Sequence, residues 1–166
     1  MSYSDATSKM SMRLGCEPRP EPWQEDPAII KQMRLCAAQL AHPDEERRKK
    51  AVDIALKVSP FAVRSWLVDL VIDQLSSKSE AIRQRTATSL VEMNSAVLAS
   101  LTHRLFSTRN TALQIRLVTI LGQIGQLLSA RERVPIQMDL AIAMCRAQSM
   151  EVVATIAKAD ALLRPR

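Results

Sequence analysis

Apolar residues recur along this chain with the spacing of an α-helical stripe, and the same stripe occurs four times. From Asn110 to Gly125 the apolar positions fall at i, i+4, i+7, i+8 and i+11, the period of a helix with one buried side. Three further segments, which start at Asp44, Ser79 and Ser149, follow the same template. Each segment begins with Asp, Ser or Asn, whose side-chain oxygens can cap the free N–H groups of a helix start.

The stripe positions are those expected to face the core. They are Arg47, Ala51, Ile54, Ala55 and Val58 in the first copy; Ile82, Thr86, Ser89, Leu90 and Met93 in the second; Leu113, Leu117, Ile120, Leu121 and Ile124 in the third; and Val152, Ile156, Ala159, Asp160 and Leu163 in the fourth. The copies recur about every 35 residues, and a nearly constant period in this range is typical of repeat arrays. Arg47 and Asp160 interrupt the stripe in the first and last copies, where a terminal repeat is expected to reach solvent.

Another apolar segment precedes each copy, so the sequence predicts eight helices in four pairs. The pairs cover 27–59, 61–94, 96–127 and 131–164. Because the connections are only a few residues long, the helices of a pair must pack antiparallel. No single pair can bury its apolar side, so the pairs are expected to stack into a short all-α superhelix, or solenoid.

Two details of this prediction concern the second half of the chain. The seventh helix is expected over residues 134–147, with Arg131 to Arg133 in the loop or first turn and Pro135 at an early helical position. Gly122 and Gly125 either let a neighbouring helix approach closely or end the helix of the third copy.

Residues 1–26 differ in composition from the rest of the chain. They are rich in Ser, Pro and charged residues, and X-Pro steps at Pro18, Pro20 and Pro22 oppose a helix. We therefore expect a disordered or extended leader before a helical repeat domain at 27–166. Trp23 is expected to pack back on the first repeat rather than to anchor a partner.

Composition supports a folded helical domain and limits its partners. Hydrophobic residues make up 47% of the chain, which excludes an intrinsically disordered protein. The net charge is +6 and its surplus lies after residue 26, which could attract phosphates or an acidic protein. No segment approaches the ~18 uninterrupted apolar residues of a transmembrane helix, so we expect no membrane partner. Three widely spaced cysteines, Cys16, Cys36 and Cys145, are typical of reduced thiols in a cytoplasmic protein.

The second helix of each pair resembles that of HEAT repeats. The resemblance is carried by Ile82-Arg83, Ala87 and Leu90, by Leu121-Gly122-Gln123-Ile124-Gly125, and in part by Arg47-Arg48 with Ala51. Gln114 and Val153 stand where the HEAT pattern has Arg, and the period is shorter than the ~40–47 residues usual there. The resemblance covers residues 27–164. It implies a protein-binding scaffold whose second helices line a concave side, although a few HEAT-like arrays bind nucleic acid or act as enzymes.

On that concave side, partner contacts are expected at positions that point away from the apolar stripe. At 100° per residue these are the fifth, sixth and ninth positions after each cap. The fifth gives Lys49, Gln84, Ile115 and Ala154; the sixth gives Lys50, Arg85, Arg116 and Thr155; the ninth gives Asp53, Thr88, Thr119 and Lys158. The centre becomes apolar toward the C-terminal end, where Ile115, Val118, Ala154 and Ala157 are expected to lie close together.

Three interpretations of this face remain open. Its apolar centre suits a helix or an extended peptide of a protein partner. A basic row at Lys50, Arg85 and Arg116 could bind nucleic-acid phosphates, although no aromatic residue offers a platform for base stacking. The row could also be a solvated face with local ion pairs.

No residue pattern predicts catalysis, a metal site, a cofactor or a small-molecule substrate. His42 and His103 lie on different elements, no His or Cys pair has metal-ligand spacing, and no Gly-rich loop could hold a nucleotide. Asp69 and Asp73, one helical turn apart, could share a proton or a cation but are more typical of a solvated face. The sequence therefore predicts a non-enzymatic cytoplasmic adaptor that holds a partner protein along its second helices, with nucleic-acid binding as the alternative.

Overall fold

The computed structural model describes residues 26–164, which form eight α-helices joined by short turns. The helices are α1 (Pro27–Leu40), α2 (Glu45–Lys57), α3 (Phe61–Gln74), α4 (Glu80–Glu92), α5 (Leu98–Ser107), α6 (Thr111–Leu127), α7 (Ala130–Arg146) and α8 (Met150–Leu163). A 3₁₀ segment, Asn94–Val97, leads from α4 into α5. These bounds confirm the predicted all-α fold. The expected leader, with Trp23 and Cys16, lies outside the described residues.

The helices are arranged in two layers. The first helices of the pairs, α1, α3, α5 and α7, contact one another in chain order, and so do the second helices α2, α4, α6 and α8. Each second helix also packs on the first helix of its own pair. This is the predicted solenoid of four antiparallel pairs, and its apolar core lies between the two layers.

Side-chain caps explain where most of these helices begin. Oxygens of Asp26, Asp44 and Asn110 accept hydrogen bonds from first-turn amides at 2.8, 2.9 and 3.1 Å. The Ser79 and Ser149 hydroxyls accept similar bonds at 3.4 and 3.3 Å. Each cap satisfies an N–H group that a helix start leaves without a partner and contributes about 1 kcal/mol. The four template starts predicted from the sequence are therefore confirmed.

Helix α7 begins earlier than the predicted residue 134. It starts at Ala130 because Ser129 and Glu132 form a capping box, in which the Ser129 amide and hydroxyl donate to the Glu132 carboxylate at 3.0 and 2.6 Å. These two hydrogen bonds, chiefly that of the hydroxyl, lower the pKa of Glu132. Pro135 therefore lies inside the helix rather than at its start, where it removes one backbone donor.

The predicted apolar stripe is largely buried in the second helices. In α2, the second helix of the first pair, the prediction is corrected at two positions. In α6 all five stripe residues are at most 3% exposed, as predicted. Ile54 of α2, by contrast, is 54% exposed, and Val52 takes its place in the core. The reason is that Ile54 lines a groove with Leu35 between α1 and α2, on a side of this pair that no other described helix covers.

Val118 and two glycines bring α8 close to α6. Val118 is fully buried and does not belong to the open face, which corrects the sequence prediction. It lies on the same side of α6 as the glycines, one turn before Gly122. A Cβ added to Gly122 would lie 3.1 Å from the Ala159 Cβ, and one added to Gly125 would lie 2.5 Å from Leu163 Cδ2. The glycines therefore permit close helix approach, and α6 continues past both of them.

Two polar residues of α4 are buried with hydrogen-bond partners, Ser89 on the end of α1 and Thr86 on Gln74 of α3. Ser89 Oγ donates to the Leu40 carbonyl at 2.6 Å. Thr86 Oγ1 donates to the Gln74 amide oxygen at 3.3 Å, and Gln74 Nε2 donates to the Ala37 carbonyl at 2.9 Å. These bonds satisfy carbonyls of the last turn of a helix and connect α1, α3 and α4.

Candidate partner-binding face

The second-helix face is the surface of α2, α4, α6 and α8 that points away from the first helices. All ten predicted contact residues lie on these four helices. Seven are exposed and three are half-buried: Lys49, Lys50, Asp53, Gln84, Thr88, Thr119 and Lys158 in the first group, and Arg85, Ile115 and Arg116 in the second. Their exposure follows from the same helical period that buries the stripe.

Four of the ten residues line one groove between α4 and α6, called here the α4–α6 groove. Its volume is about 170 Å³, and its lining is Leu75, Glu80, Arg83, Gln84, Ala87, Ile115, Arg116, Thr119, Ile120 and Gln123. Leu75 and Ile120 are almost completely buried, and Ile115 packs partly against the core. The groove therefore combines an apolar base with a polar rim, which suits an apolar side chain of a peptide or helix.

Arg116 is held in this groove by the end of α3. Its Nη1 donates to the Leu75 carbonyl at 2.7 Å. Leu75 caps the C-terminus of α3, where carbonyls lack a partner within the helix. The guanidinium thus fixes α6 against α3 and keeps its other N–H donors for further contacts.

The lysines of α2 have different surroundings. Lys49 Nζ forms ion pairs with Glu45 at 2.7 Å and with Glu46 at 3.7 Å. The hydrogen bond that Lys49 donates to the Glu45 carboxylate raises the pKa of Lys49. Lys50 lines a separate groove of about 310 Å³ between α1 and α2. The structure thus places Lys50 and Arg116 in two different grooves.

The remaining predicted residues are of two kinds, hydroxyls that make a hydrogen bond within their own helix and charged side chains that make none with the described residues. The Thr88 and Thr119 hydroxyls donate to the carbonyl four residues earlier in their own helices, at 3.0 and 2.8 Å. The side chains of Asp53, Arg85 and Lys158 make no hydrogen bond or ion pair with another residue of the described range 26–164. These three charges are therefore available to a partner.

An apolar surface that the sequence analysis did not identify lies on α7. Its exposed side carries Val134, Met138, Ala141, Ile142 and Cys145, at i, i+4, i+7, i+8 and i+11. Val134, Met138 and Ile142 are 48%, 62% and 42% exposed. Because the opposite side of α7 is buried in the core, this helix is apolar on two sides. The spacing equals that of the second-helix stripes, so the signal for this surface is present in the sequence.

The two candidate carboxylates and the buried thiol have distinct environments. Burial raises the pKa of Asp69, whereas Asp73 forms an ion pair with Arg104. Burial also raises the pKa of the Cys36 thiol, which disfavours the reactive thiolate. Within residues 26–164, no three His, Cys, Asp or Glu side chains are grouped so that they could hold a metal ion. Asp69 and Asp73 therefore differ in surroundings although they lie one helical turn apart.

No protein-family model matches this chain, and a search of the curated proteins finds no match. None of the helices within residues 26–164 is both long enough and apolar enough to cross a membrane. The contacts and grooves described above are therefore the basis for a functional proposal.

Proposed function

We propose that this protein is a non-catalytic, HEAT-like scaffold that binds a partner protein along its second-helix face. The observation that carries the proposal is the α4–α6 groove, where Gln84, Ile115, Arg116 and Thr119 surround an apolar base. Its occupant is an apolar side chain of a peptide or helix, and the polar rim contacts the backbone next to that side chain.

Two features of the groove favour a protein over a nucleic acid as the partner. Ala87 and Ile115 give the groove apolar surface, and Arg116 already donates to the Leu75 carbonyl. A nucleic-acid site needs basic side chains in a continuous row along the phosphates. Lys50 and Arg116, the two ends of the predicted basic row, line different grooves and do not share one binding site.

The cysteines bear on the cellular compartment. Cys36 and Cys145 are free thiols, the first buried and the second exposed. Exposed free thiols are typical of a reducing compartment, which supports a cytoplasmic location for the scaffold.

Site-specific photocrosslinking in cells tests the proposal. Benzoylphenylalanine replaces either Thr119, which is exposed at the groove, or Arg34, which is exposed on α1. We expect a discrete protein to crosslink to the first position and not to the second. Ile115→Asp should lower that adduct by about tenfold, because a carboxylate would replace the apolar surface that the occupant contacts and would have to be desolvated when the occupant binds. Arg131→Gln, at an exposed position of α7 outside the second-helix face, should leave the adduct unchanged.

Circular dichroism and thermal unfolding separate loss of binding from loss of folding. If Ile115→Asp does not fold, Gln84→Arg at an exposed position of the same groove takes its place in the test. Equal crosslinking from the Thr119 and Arg34 positions would contradict a groove-specific partner. A nucleic-acid adduct that weakens steeply with salt and is lost in Arg85→Ala would establish the alternative function.

A further inference from the structure

A larger cavity lies between the turn that joins α5 to α6 and the turn that joins α7 to α8. Its volume is about 430 Å³, and it is separate from the second-helix groove described above. Leu105, Ala143 and Val152, all buried, form an apolar part of its wall. Two arginines, Arg109 and Arg146, also line it, and no carboxylate does.

Most arginines within residues 26–164 donate to a hydrogen-bond acceptor in the protein, whereas the guanidinium groups of these two arginines do not. Most of the others donate to a backbone carbonyl or pair with a carboxylate, as Arg48, Arg104 and Arg133 do. Arg109 and Arg146 make no hydrogen bond or ion pair with any residue in the range 26–164. Two unneutralised cations in one cavity create a local positive potential that an anion would relieve.

Arg146 is nevertheless oriented, because its guanidinium packs on an aromatic ring. The guanidinium carbon lies 5.2 Å from the centroid of the Phe106 ring, which also lines the cavity. Packing on a ring engages the face of a guanidinium and leaves the N–H donors in its plane uncommitted. The site therefore has a positioned donor before any ligand arrives, which reduces the ordering cost of binding.

Two hydroxyls of the cavity lining add further donors. Thr108 Oγ1 accepts from the Asn110 amide at 3.2 Å, and Ser149 Oγ accepts from the Glu151 amide at 3.3 Å. A hydroxyl that accepts such a bond keeps its own hydrogen for donation. The arginines, supported by these hydroxyls, supply a set of donors, and no carboxylate lines the cavity to accept from them.

We propose that this cavity binds an oxyanion, a phosphate or a carboxylate group, between Arg109 and Arg146. Both oxyanions match the planar arrangement of guanidinium donors. The apolar wall accommodates the carbon skeleton that carries the oxyanion. This site lies outside the α4–α6 groove and does not rest on the partner proposed for that groove.

Titration of the full chain with inorganic phosphate at constant ionic strength, followed by NMR, tests the proposal. We expect saturable shifts of the backbone amides at 108–111 and 147–151 and of the Arg109 and Arg146 side-chain N–H groups. Arg109→Gln with Arg146→Gln should weaken the apparent Kd by about tenfold, because it removes the charge-assisted hydrogen bonds. The matched control, Arg34→Gln with Arg131→Gln, removes the same charge from exposed positions outside the cavity and should leave the Kd within about twofold.

Equal weakening in both double variants would overturn the proposal, because net charge alone would then explain the binding. Shifts that do not saturate, or that spread evenly over the basic surface, would overturn it as well. Circular dichroism confirms that each variant keeps its helix content.

Three peptides that differ at one position, with phosphoserine, glutamate or serine, identify the source of the oxyanion. Tighter binding of the phosphoserine peptide assigns a phosphorylated chain, and tighter binding of the glutamate peptide assigns a carboxylate. Phosphate binding without binding of any peptide assigns a small anionic ligand. Equal binding of all three peptides, serine included, overturns oxyanion recognition. None of these results depends on the crosslinking outcome at Thr119, so the two proposals fail separately.

Discussion

The turns inside the first three helix pairs are held by a side chain that the turn inside the fourth pair lacks. The side chain stands four residues after the cap of the second helix. Arg48 donates to two carbonyls of its turn at 2.9 and 3.0 Å, and Arg83 donates to two of its own at 2.6 and 3.0 Å. Gln114 donates to one turn carbonyl at 3.0 Å. Val153, at the same position of the fourth pair, has no donor.

The comparison gives a structural explanation for the arginine that the repeated sequence pattern carries at this position in the first two pairs. Carbonyls beyond the end of a helix have no partner within it, and a guanidinium can satisfy two of them at once. The chain departs from the pattern at Gln114 and Val153, and the two departures are not equivalent. Gln114 keeps one of the bonds, whereas Val153 keeps none. The arginine therefore stabilises the hairpin of its own pair.

Replacing Arg83 should produce the largest loss of stability. Its side chain is only 18% exposed, and Arg83→Met keeps the aliphatic stem but removes both bonds to the turn. We expect the free energy of unfolding, measured with urea, to fall by about 2–3 kcal/mol. Arg34→Met, at an exposed position of α1, should change it by less than about 0.5 kcal/mol. Glu80→Gln separates the contribution of the Arg83–Glu80 ion pair, and equal losses in Arg83→Met and Arg34→Met would contradict the comparison.

Replacing Gln114 should cost less, because a neutral amide makes a single bond to its turn. We expect Gln114→Met to lower the free energy of unfolding by about 1 kcal/mol in the same urea titration. Gln126→Met, at an exposed position of the same helix, serves as the control for removal of an amide. A loss as large as that of Arg83→Met would show that charge and bond number do not distinguish the two turns.

Introducing an arginine into the fourth pair should repair its turn. Val153 is half-buried, and the stem of an arginine can cover the same surface while its head reaches the turn carbonyls. We expect Val153→Arg to raise the free energy of unfolding by about 0.5–1 kcal/mol and to slow amide hydrogen exchange at residues 148–151. Val153→Met, which has a flexible stem but no donor, should do neither. Identical amide hydrogen exchange at residues 148–151 in Val153→Arg and Val153→Met would contradict the expectation that an arginine introduced at this position stabilises the turn.

The turn between α6 and α7 should show the smallest effect, together with a pH dependence. Arg133 already donates to the Leu128 carbonyl of this turn at 2.9 Å and to the Gln126 carbonyl at the end of α6 at 3.3 Å, so the Ser129–Glu132 capping box is not the only support of the turn. The pKa of Glu132 is lowered in the folded chain by hydrogen bonds from Ser129. Its stabilisation is therefore present at neutral pH and is lost as the pH falls through the folded pKa, which lies below that of an unperturbed glutamate.

Thermal unfolding of Glu132→Gln and of the wild type at several pH values measures this contribution. The wild type should have the higher Tm at pH 7, and the difference should narrow toward pH 3. Glu92→Gln, at an exposed position of α4, controls for the loss of a surface carboxylate. A Tm difference that is constant from pH 7 to pH 3 would contradict the role of the ionised cap.

The candidate site shows which part of a surface can be predicted from helical periodicity. The positions of Gln84, Ile115 and Thr119 outside the core follow from their angular distance to the stripe. Their grouping into one groove does not follow, because it depends on how closely α4 approaches α6. In the same way, Lys50 and Arg116 occupy equivalent positions but line different grooves, since each faces a different neighbouring helix.

By itself the sequence determined the number of helices, their caps and their buried stripes, because these depend on contacts between residues that are close along the chain. The stripe of α6 and the cap at Asn110 are predicted correctly for this reason. Only the tertiary structure decided that Val118 is buried and that Ile54 is exposed. Covering the side of a helix requires a neighbour at a distance of a few ångströms, and packing between residues far apart in sequence sets that distance.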